Sequence, residues 1–213
     1  MSISRPNVPN LLSTLVTAAL SCACVAAPTT NPTKLTAAEA AKARVATLTA
    51  LRTSVDEPAD HVPNLRIAAA PVWSDATPSH RALVLASLSY PGAQYAYCRL
   101  VTLPADLAAA QVSDSSAMPD CRGVSRASFI DVNGDGLLDV VAGLRVPSNR
   151  YDITLEVPAV FLSDASAPGG YCYSQQASDH LQPDDLASGD RARTALTNEQ
   201  TRLKLDRWAC GRY

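Results

Sequence analysis

The sequence predicts a mainly β fold with flanking helices, an α+β arrangement in which an antiparallel β core carries an N-terminal and a C-terminal helix. Three observations predict it. Between residues 66 and 163, β-branched and aliphatic runs alternate with Pro-, Gly- and Asp-rich breaks at strand-and-turn spacing. An Ala/Leu-rich segment follows a capping signal at Thr36, and residues 190–208 again have helical composition.

The chain opens on a segment that reads as an address and not as fold. Arg5 gives a small positive region, and Leu11 to Leu20 is an apolar run of ten residues, too short to span a bilayer. Ala19-Leu20-Ser21-Cys22 then resembles a bacterial lipobox, with Cys22 as the lipidated residue. The expected organisation is therefore a signal peptide over 1–21, a polar, Pro-containing linker over 22–34, and a single calcium-binding β-rich domain over 35–213. The mature part would hold 192 residues (213 − 21), an ordinary length for one domain.

Thr36-Ala37-Ala38-Glu39 is a capping box, and the helix it starts should run to about residue 54 with Val45, Leu48 and Leu51 as its apolar stripe. Asp56 to Pro63 breaks it. Residues 66–70 read as a short strand, and 81–90 and 94–103 as longer strands joined at Pro91-Gly92. Period-two placement puts Tyr95 and Tyr97 on one face and Cys98 on the other. Residues 105–111 read as a helical turn and 113–119 as a loop. Strands follow on both sides of an Asp/Gly loop at 131–139, then over 151–163, with a turn at Pro168-Gly169-Gly170. Asp184-Asp185 after Pro183 suits a helix start, where acids complement the dipole. The last helix, 190–208, would bury Leu196, Leu203 and Leu205.

Four cysteines follow the N-terminal segment: Cys98, Cys121, Cys172 and Cys210. An even count in an exported domain argues for two disulfides. Of the three connectivities, Cys98–Cys121 and Cys172–Cys210 join neighbours in sequence and are favoured. No Cys-x-x-Cys pair occurs, and the three histidines lie far from the cysteines in sequence, which argues against zinc.

The chemistry of the chain is concentrated in Asp131-Val132-Asn133-Gly134-Asp135-Gly136-Leu137-Leu138-Asp139. Oxygen-bearing side chains stand at loop positions one, three, five and nine, with glycine at position six. A hard cation such as Ca²⁺ takes six to eight oxygens from alternate residues of a tight loop. Asp131, Asn133, Asp135 and Asp139 would offer side-chain oxygens and Leu137 its carbonyl. Three carboxylates gathered without a cation would repel by several kcal/mol at an effective dielectric of about 20. An EF-hand is disfavoured, because its twelfth position needs a bidentate Glu and Ala142 stands there. The flanks, 128–132 and 138–142, are β-like.

The run Phe129 to Gly143 resembles the calcium loop of FG-GAP and VCBS-type repeats, and Ala159 to Tyr171 is similar to the rest of one such repeat. The resemblance covers about Ser125 to Tyr173. It implies Ca²⁺ as cofactor and β-propeller-like blades, here degenerate, since only one loop is found and a propeller typically needs four or more blades.

The remaining composition narrows the function. Net charge is −2 with no basic stripe, so nucleic acid is not an expected partner. His61, His80 and His180 sit beside turn-forming or polar residues. No His-Glu-x-x-His, Gly-x-Ser-x-Gly, Walker or dinucleotide motif occurs, and Glu39, Glu57, Glu156 and Glu199 are the only glutamates. The expectation is a binding protein and not an enzyme, exported to the periplasm of a Gram-negative bacterium and touching the membrane, expected to be the outer one, only through a lipid anchor. A small lipoprotein with one such calcium loop also resembles periplasmic immunity proteins that block peptidoglycan hydrolase effectors, which implies an envelope protein as partner. Arg150, Tyr151, Tyr171 and Tyr173 are the expected contacts, as Tyr and Arg anchor interfaces. A glycan-binding or adhesive module and a self-resistance protein for a small antibiotic are the alternatives.

Overall fold

The computed structural model describes residues 35–53, 66–69, 72–74, 82–89, 97–113, 121–148 and 153–211. Helix α1 (Ala37–Thr53) begins at the expected box: Glu39 N–H donates to Thr36 Oγ1 (3.3 Å), and Thr36 N–H donates to the Glu39 carboxylate (2.9 Å). Its stripe differs from the expected one. Ala43, Thr47 and Leu51 are buried, whereas Val45 is 68% exposed. Residues at spacing four share a face, and Val45 stands about 200° around from Ala43. Small Ala43 and Thr47 let the helix sit close to its sheet.

The first sheet contains β1 (Arg66–Ala69), β2 (Val72–Ser74), β3 (Ala82–Ser89), β4 (Tyr97–Leu103) and β5 (Gln111–Val112), in the order β1-β3-β4-β5, with β2 also on β3. Strand β3 pairs with β4 antiparallel from Ala82↔Leu103 to Leu88↔Tyr97. The two- and three-residue strands β5 and β2 are too short to show a period in sequence. Residues 105–111 form no helix. Leu107 takes a left-handed φ of 57° and is buried against α1, and the chain leaves it directly into β5.

The second sheet is a sequential antiparallel meander: β6 (Val124–Ile130), β7 (Asp139–Pro147), β8 (Thr154–Ser163) and β9 (Tyr171–Ser174). Strand alternation divides the core into layers. On β4, Cys98 and Leu100 face the second sheet, where they join Phe129, Val140, Ala142 and Phe161. Val101 and Leu103 point the other way, to Leu51 of α1. On the second sheet, Ile130, Val141, Val160 and Leu162 form the opposite face. It is covered by Ala177 of α2 (Gln175–Asp179), by Leu186, and by Ala192 and Leu196 of α3 (Gly189–Leu203). The order is thus helix, sheet, sheet, helices, and both outer sheet faces are taken by helices. Each fully buried aliphatic of this kind contributes about 1.5–3 kcal/mol.

Two tight segments lock the layers. Gly169, at φ +67°, lies so close to β4 and β5 that a Cβ there would come within 2.7 Å of Ser113 Oγ and 3.0 Å of Thr102 Oγ1. At the C-terminus, α3 stops at Leu203, short of the expected residue 208. Lys204 is left-handed (φ 55°), and Leu205 N–H donates back to Gln200 O (3.0 Å), a Schellman-type end. The chain then returns as a strap. Trp208 is buried in the same core as Leu196, and Gly211 N–H donates to Tyr173 O on β9 (2.7 Å).

Disulfides join Cys98 to Cys121 and Cys172 to Cys210, the pairing of sequence neighbours. The first ties β4 to the approach of β6, across the two sheets. The second ties β9 to the strap.

Candidate metal centre

The loop 131–139 is the connection between β6 and β7, and its side chains organise its own backbone. Asp131 Oδ1 accepts the N–H groups of Gly134 (2.7 Å) and Asp135 (3.2 Å), and Oδ2 accepts that of Gly136 (2.9 Å). Asn133 Oδ1 accepts Asp135 N–H (3.2 Å), and Asp135 Oδ1 accepts Leu137 N–H (2.8 Å). These are Asx turns, which short acidic and amide side chains make with amides two residues on. Gly136 stands at φ +83°, a conformation that L side chains rarely adopt. The turn at position six is therefore the one the sequence implied.

Asp139 is the buried member of the set, with no exposed surface. Oδ2 accepts Val132 N–H (2.9 Å) at the loop entrance, and Oδ1 accepts Ser163 N–H (2.7 Å) at the end of β8. One carboxylate thus fastens the loop to the β8–β9 turn. Burial pushes its pKa from 3.8 up to about 7. The two amides oppose that rise, and the charges of Asp135 and Asp131 add to it. Among the described residues no Lys or Arg stands within 4.0 Å of the loop carboxylates.

The structure brings Asp131, Asn133, Asp135, Leu137 and Asp139 into one nine-residue loop. Asp131 and Asp139 are inside, Asn133 is half-buried, and Asp135 and Leu137 are exposed. The carboxylate oxygens of Asp131, Asp135 and Asp139 do not all lie within 4.8 Å of one another. They are turned to amides: Asp131 Oδ1 already accepts two N–H groups, while Asp131 Oδ2 and both oxygens of Asp139 accept one each. The donor set is all oxygen and includes three carboxyl groups, which suits a hard divalent cation and no softer metal. The residue types present are ones that bind Ca²⁺, but their carboxylate oxygens do not converge on one point in this structure. Asp131, Asn133, Asp135 and Asp139 would hold it through side chains and Leu137 through its carbonyl. The ion's chemistry there would be charge neutralisation.

A second grouping, Asp164 with Cys172 and Cys210, has donor atoms within 4.8 Å of each other. Its two sulfurs are bonded to each other, so it offers no thiolate and is not a metal site.

Beside the loop lies a cleft of about 850 Å³, walled by Asn133, Asp135 and Leu137, by 162–166 of the β8–β9 turn, and by 206–210 of the strap. Sequence reasoning singled out neither Ser163 and Asp164 nor Asp206, Arg207 and Trp208 as site residues. Their approach to the loop depends on β8 and the strap, and no local motif records it. The expected contact residues fare differently. Arg150 and Tyr151 lie outside the described residues, as does the lipidation residue Cys22. Tyr171 is only 1% exposed and packs in the core between the sheets, which removes it as a surface contact. Tyr173 is half-buried, its ring edge-on to Phe161 at 5.8 Å. Both faces of β9 are inside the fold, because the strap and α2 enclose its end. No family model, curated protein or solved structure matches this chain.

Proposed function

We propose that the chain is a calcium-stabilised binding protein of the bacterial envelope, lipid-anchored in the periplasm through Cys22, that acts as an immunity or inhibitor protein against a cell-wall hydrolase. The observation that supports it best is the loop 131–139. It gathers an oxygen-only donor set with three carboxyl groups, and buries one of them, Asp139, as a clamp between the loop and the β8–β9 turn. An extracytoplasmic compartment supplies Ca²⁺ at levels that fill even weak loops, so cation, disulfides and export signal agree with one another. The ion is a structural staple: at a free concentration about a hundredfold above its dissociation constant it adds about 2.7 kcal/mol. The hydrolase as partner rests on the resemblance of small calcium-loop lipoproteins to such immunity proteins. Binding without turnover accords with the absence of any catalytic motif in the sequence.

The test uses the mature domain with Cys22→Ser, mixed with purified lysozyme-like and amidase-type hydrolases acting on peptidoglycan, in millimolar Ca²⁺ and in chelator. Stoichiometric inhibition of one hydrolase class supports the reading. If no hydrolase in either class is bound or inhibited, the inhibitor reading is withdrawn.

A further inference from the structure

The two disulfides differ in what can reach them. Cys98 and Cys121 have no exposed surface and lie in the core between the sheets. Cys172 is only 6% exposed, whereas its partner Cys210 is exposed on the strap. A disulfide exchanges when a thiolate reaches one of its sulfurs, and access decides which one. Of the four bonded cysteines, Cys210 alone belongs to an exposed residue. Attack there makes Cys172 the leaving sulfur.

A second, independent observation is the carboxylate beside that sulfur. Asp164 Oδ1 accepts both the N–H and the hydroxyl of Ser166, at 2.8 and 2.6 Å. This fixes the side chain, and Oδ2 stands 3.8 Å from Cys210 Sγ. The backbone of Asp164 is pinned in the β8–β9 turn as well: its N–H donates to Gly170 O (2.9 Å), and its carbonyl accepts Ala167 N–H (3.0 Å). The Ser166 contacts hold its carboxyl below the usual range, so it is charged at neutral pH. An incoming thiolate meets that charge, and Arg207 on the same strap offsets it in part. Charges placed in this way act mainly on the rate of encounter.

The bond also holds a lightly attached segment. Past α3 the strap is fastened by the buried Trp208 and by a few hydrogen bonds. Gln175 N–H donates to Gly211 O (3.1 Å), Gly211 N–H to Tyr173 O (2.7 Å) and Ala209 N–H to Gln176 Oε1 (3.3 Å).

We infer that Cys172–Cys210 is a redox latch on the 204–211 strap, opened through Cys210 by a thiol reductant and gated against anionic thiols by Asp164. The reductant's thiolate bonds to Cys210 Sγ as the bond to Cys172 breaks. Cys172 leaves with the electron pair and takes a proton. A second thiolate, from the same dithiol or another molecule of the reductant, attacks the reductant's sulfur and frees Cys210, which is protonated in turn. One disulfide is reduced and one is formed. The inference goes beyond the inhibitor reading and rests neither on it nor on calcium.

Native-state reduction of the mature domain tests it, with excess cysteamine or 2-mercaptoethanesulfonate at equal thiolate concentration and low ionic strength. Alkylation and peptide mass mapping follow each pair. Cys172 and Cys210 should be alkylated at least about tenfold faster than Cys98 and Cys121. Cysteamine should outpace the sulfonate, and Asp164→Asn should shrink the ratio of the two rates about tenfold. Two unit charges about 6 Å apart in water change a rate about threefold, and the reagents differ by two charges. The amide oxygen of the Asn can still accept from Ser166, so the variant should fold. Asp106→Asn, the same charge change on an exposed turn beside α1, should leave the ratio unchanged. Trypsin cleavage after Lys204 and Arg207 should rise about tenfold once the pair is reduced, which reads strap release. Equal reduction of Cys98–Cys121, a ratio that Asp164→Asn leaves unchanged or that Asp106→Asn shrinks as much, or a strap still resistant after reduction overturns the inference.

Discussion

Asp139 gives the fold a pH dependence of unusual sign. The perturbation is titration of one buried carboxyl, compared between the native domain and Asp139→Asn, in chelator. Its folded pKa is about 7, against an ordinary 3.8. Between those values the unfolded chain has lost the proton and the folded chain keeps it, so stability falls as pH rises. The slope is about 1.4 kcal/mol per pH unit, and over the 3.2 units between the two values (7 − 3.8) the loss is of order 4 kcal/mol. Asp164 and Glu199, whose pKa values are lowered by Ser166 and by Arg202, act with the opposite sign, below the pH 5–8 range of the measurement. Urea denaturation at pH 5, 6, 7 and 8 reads the slope. The native domain should lose about 2–3 kcal/mol from pH 5 to 7. The Asn variant should lose almost none, though it starts lower because its amide leaves one of the Val132 and Ser163 amides unpaired, at about 1–3 kcal/mol. Saturating Ca²⁺ should abolish or invert the native slope, since the ion needs the ionised form. Identical slopes for the two proteins in chelator would refute the reasoning.

Other perturbations separate the roles of neighbouring residues. Asp135→Asn should weaken Ca²⁺ more than about tenfold in calorimetry yet change metal-free stability by less than about 0.5 kcal/mol, because Asp135 is exposed and accepts only Leu137 N–H. Asp131→Ala should lose Ca²⁺ and also cost about 2–3 kcal/mol without it in urea denaturation, since the Gly134 and Gly136 amides lose their acceptor while that of Asp135 keeps Asn133 Oδ1. Leu196→Ala should cost about 2–5 kcal/mol at its fully buried site, while Val45→Ala should stay within about 0.5 kcal/mol at 68% exposure. Equal thermal shifts for the two would contradict the helix orientation described for α1. Replacing Cys172 and Cys210 by Ser should lower stability by about 3–4 kcal/mol from loop entropy, given their separation of 38 residues. The same double variant should raise proteolysis within the 205–211 strap.

What the sequence made legible was whatever is written locally. The capping box at Thr36, the turn at Gly136, the strands at 82–89, 97–103 and 154–163 and the gathering of Asp and Asn side chains in the loop all depend on residues a few positions apart. Features set by distant parts of the chain were not legible. The α1 stripe was misplaced at Val45 because Ala43 and Thr47 carry little hydrophobic signal, although the sheet selects them for close approach. The end of α3 depends on the left-handed Lys204, a residue with no turn signature of its own. Tyr171 looked like a loop anchor until β9 placed it between the sheets. The second oxygen of Asp139 finds Ser163, 24 residues away, and no motif predicts that contact. The cleft is wholly of this kind, since its walls meet only after β8, β9 and the strap are in place.

The account stands most directly on the cation in the loop 131–139. The decisive measurement is calorimetric titration of the chelator-treated mature domain with Ca²⁺, alongside Asp135→Asn, with the melting temperature followed at each addition. The account predicts one saturable Ca²⁺ per chain, a rise in melting temperature that tracks its occupancy, and a shift of both to more than about tenfold higher Ca²⁺ in the variant. No binding heat and no thermal shift up to about 10 mM, beyond the weakest extracellular calcium modules, would contradict it and leave the loop as a self-capped hairpin turn.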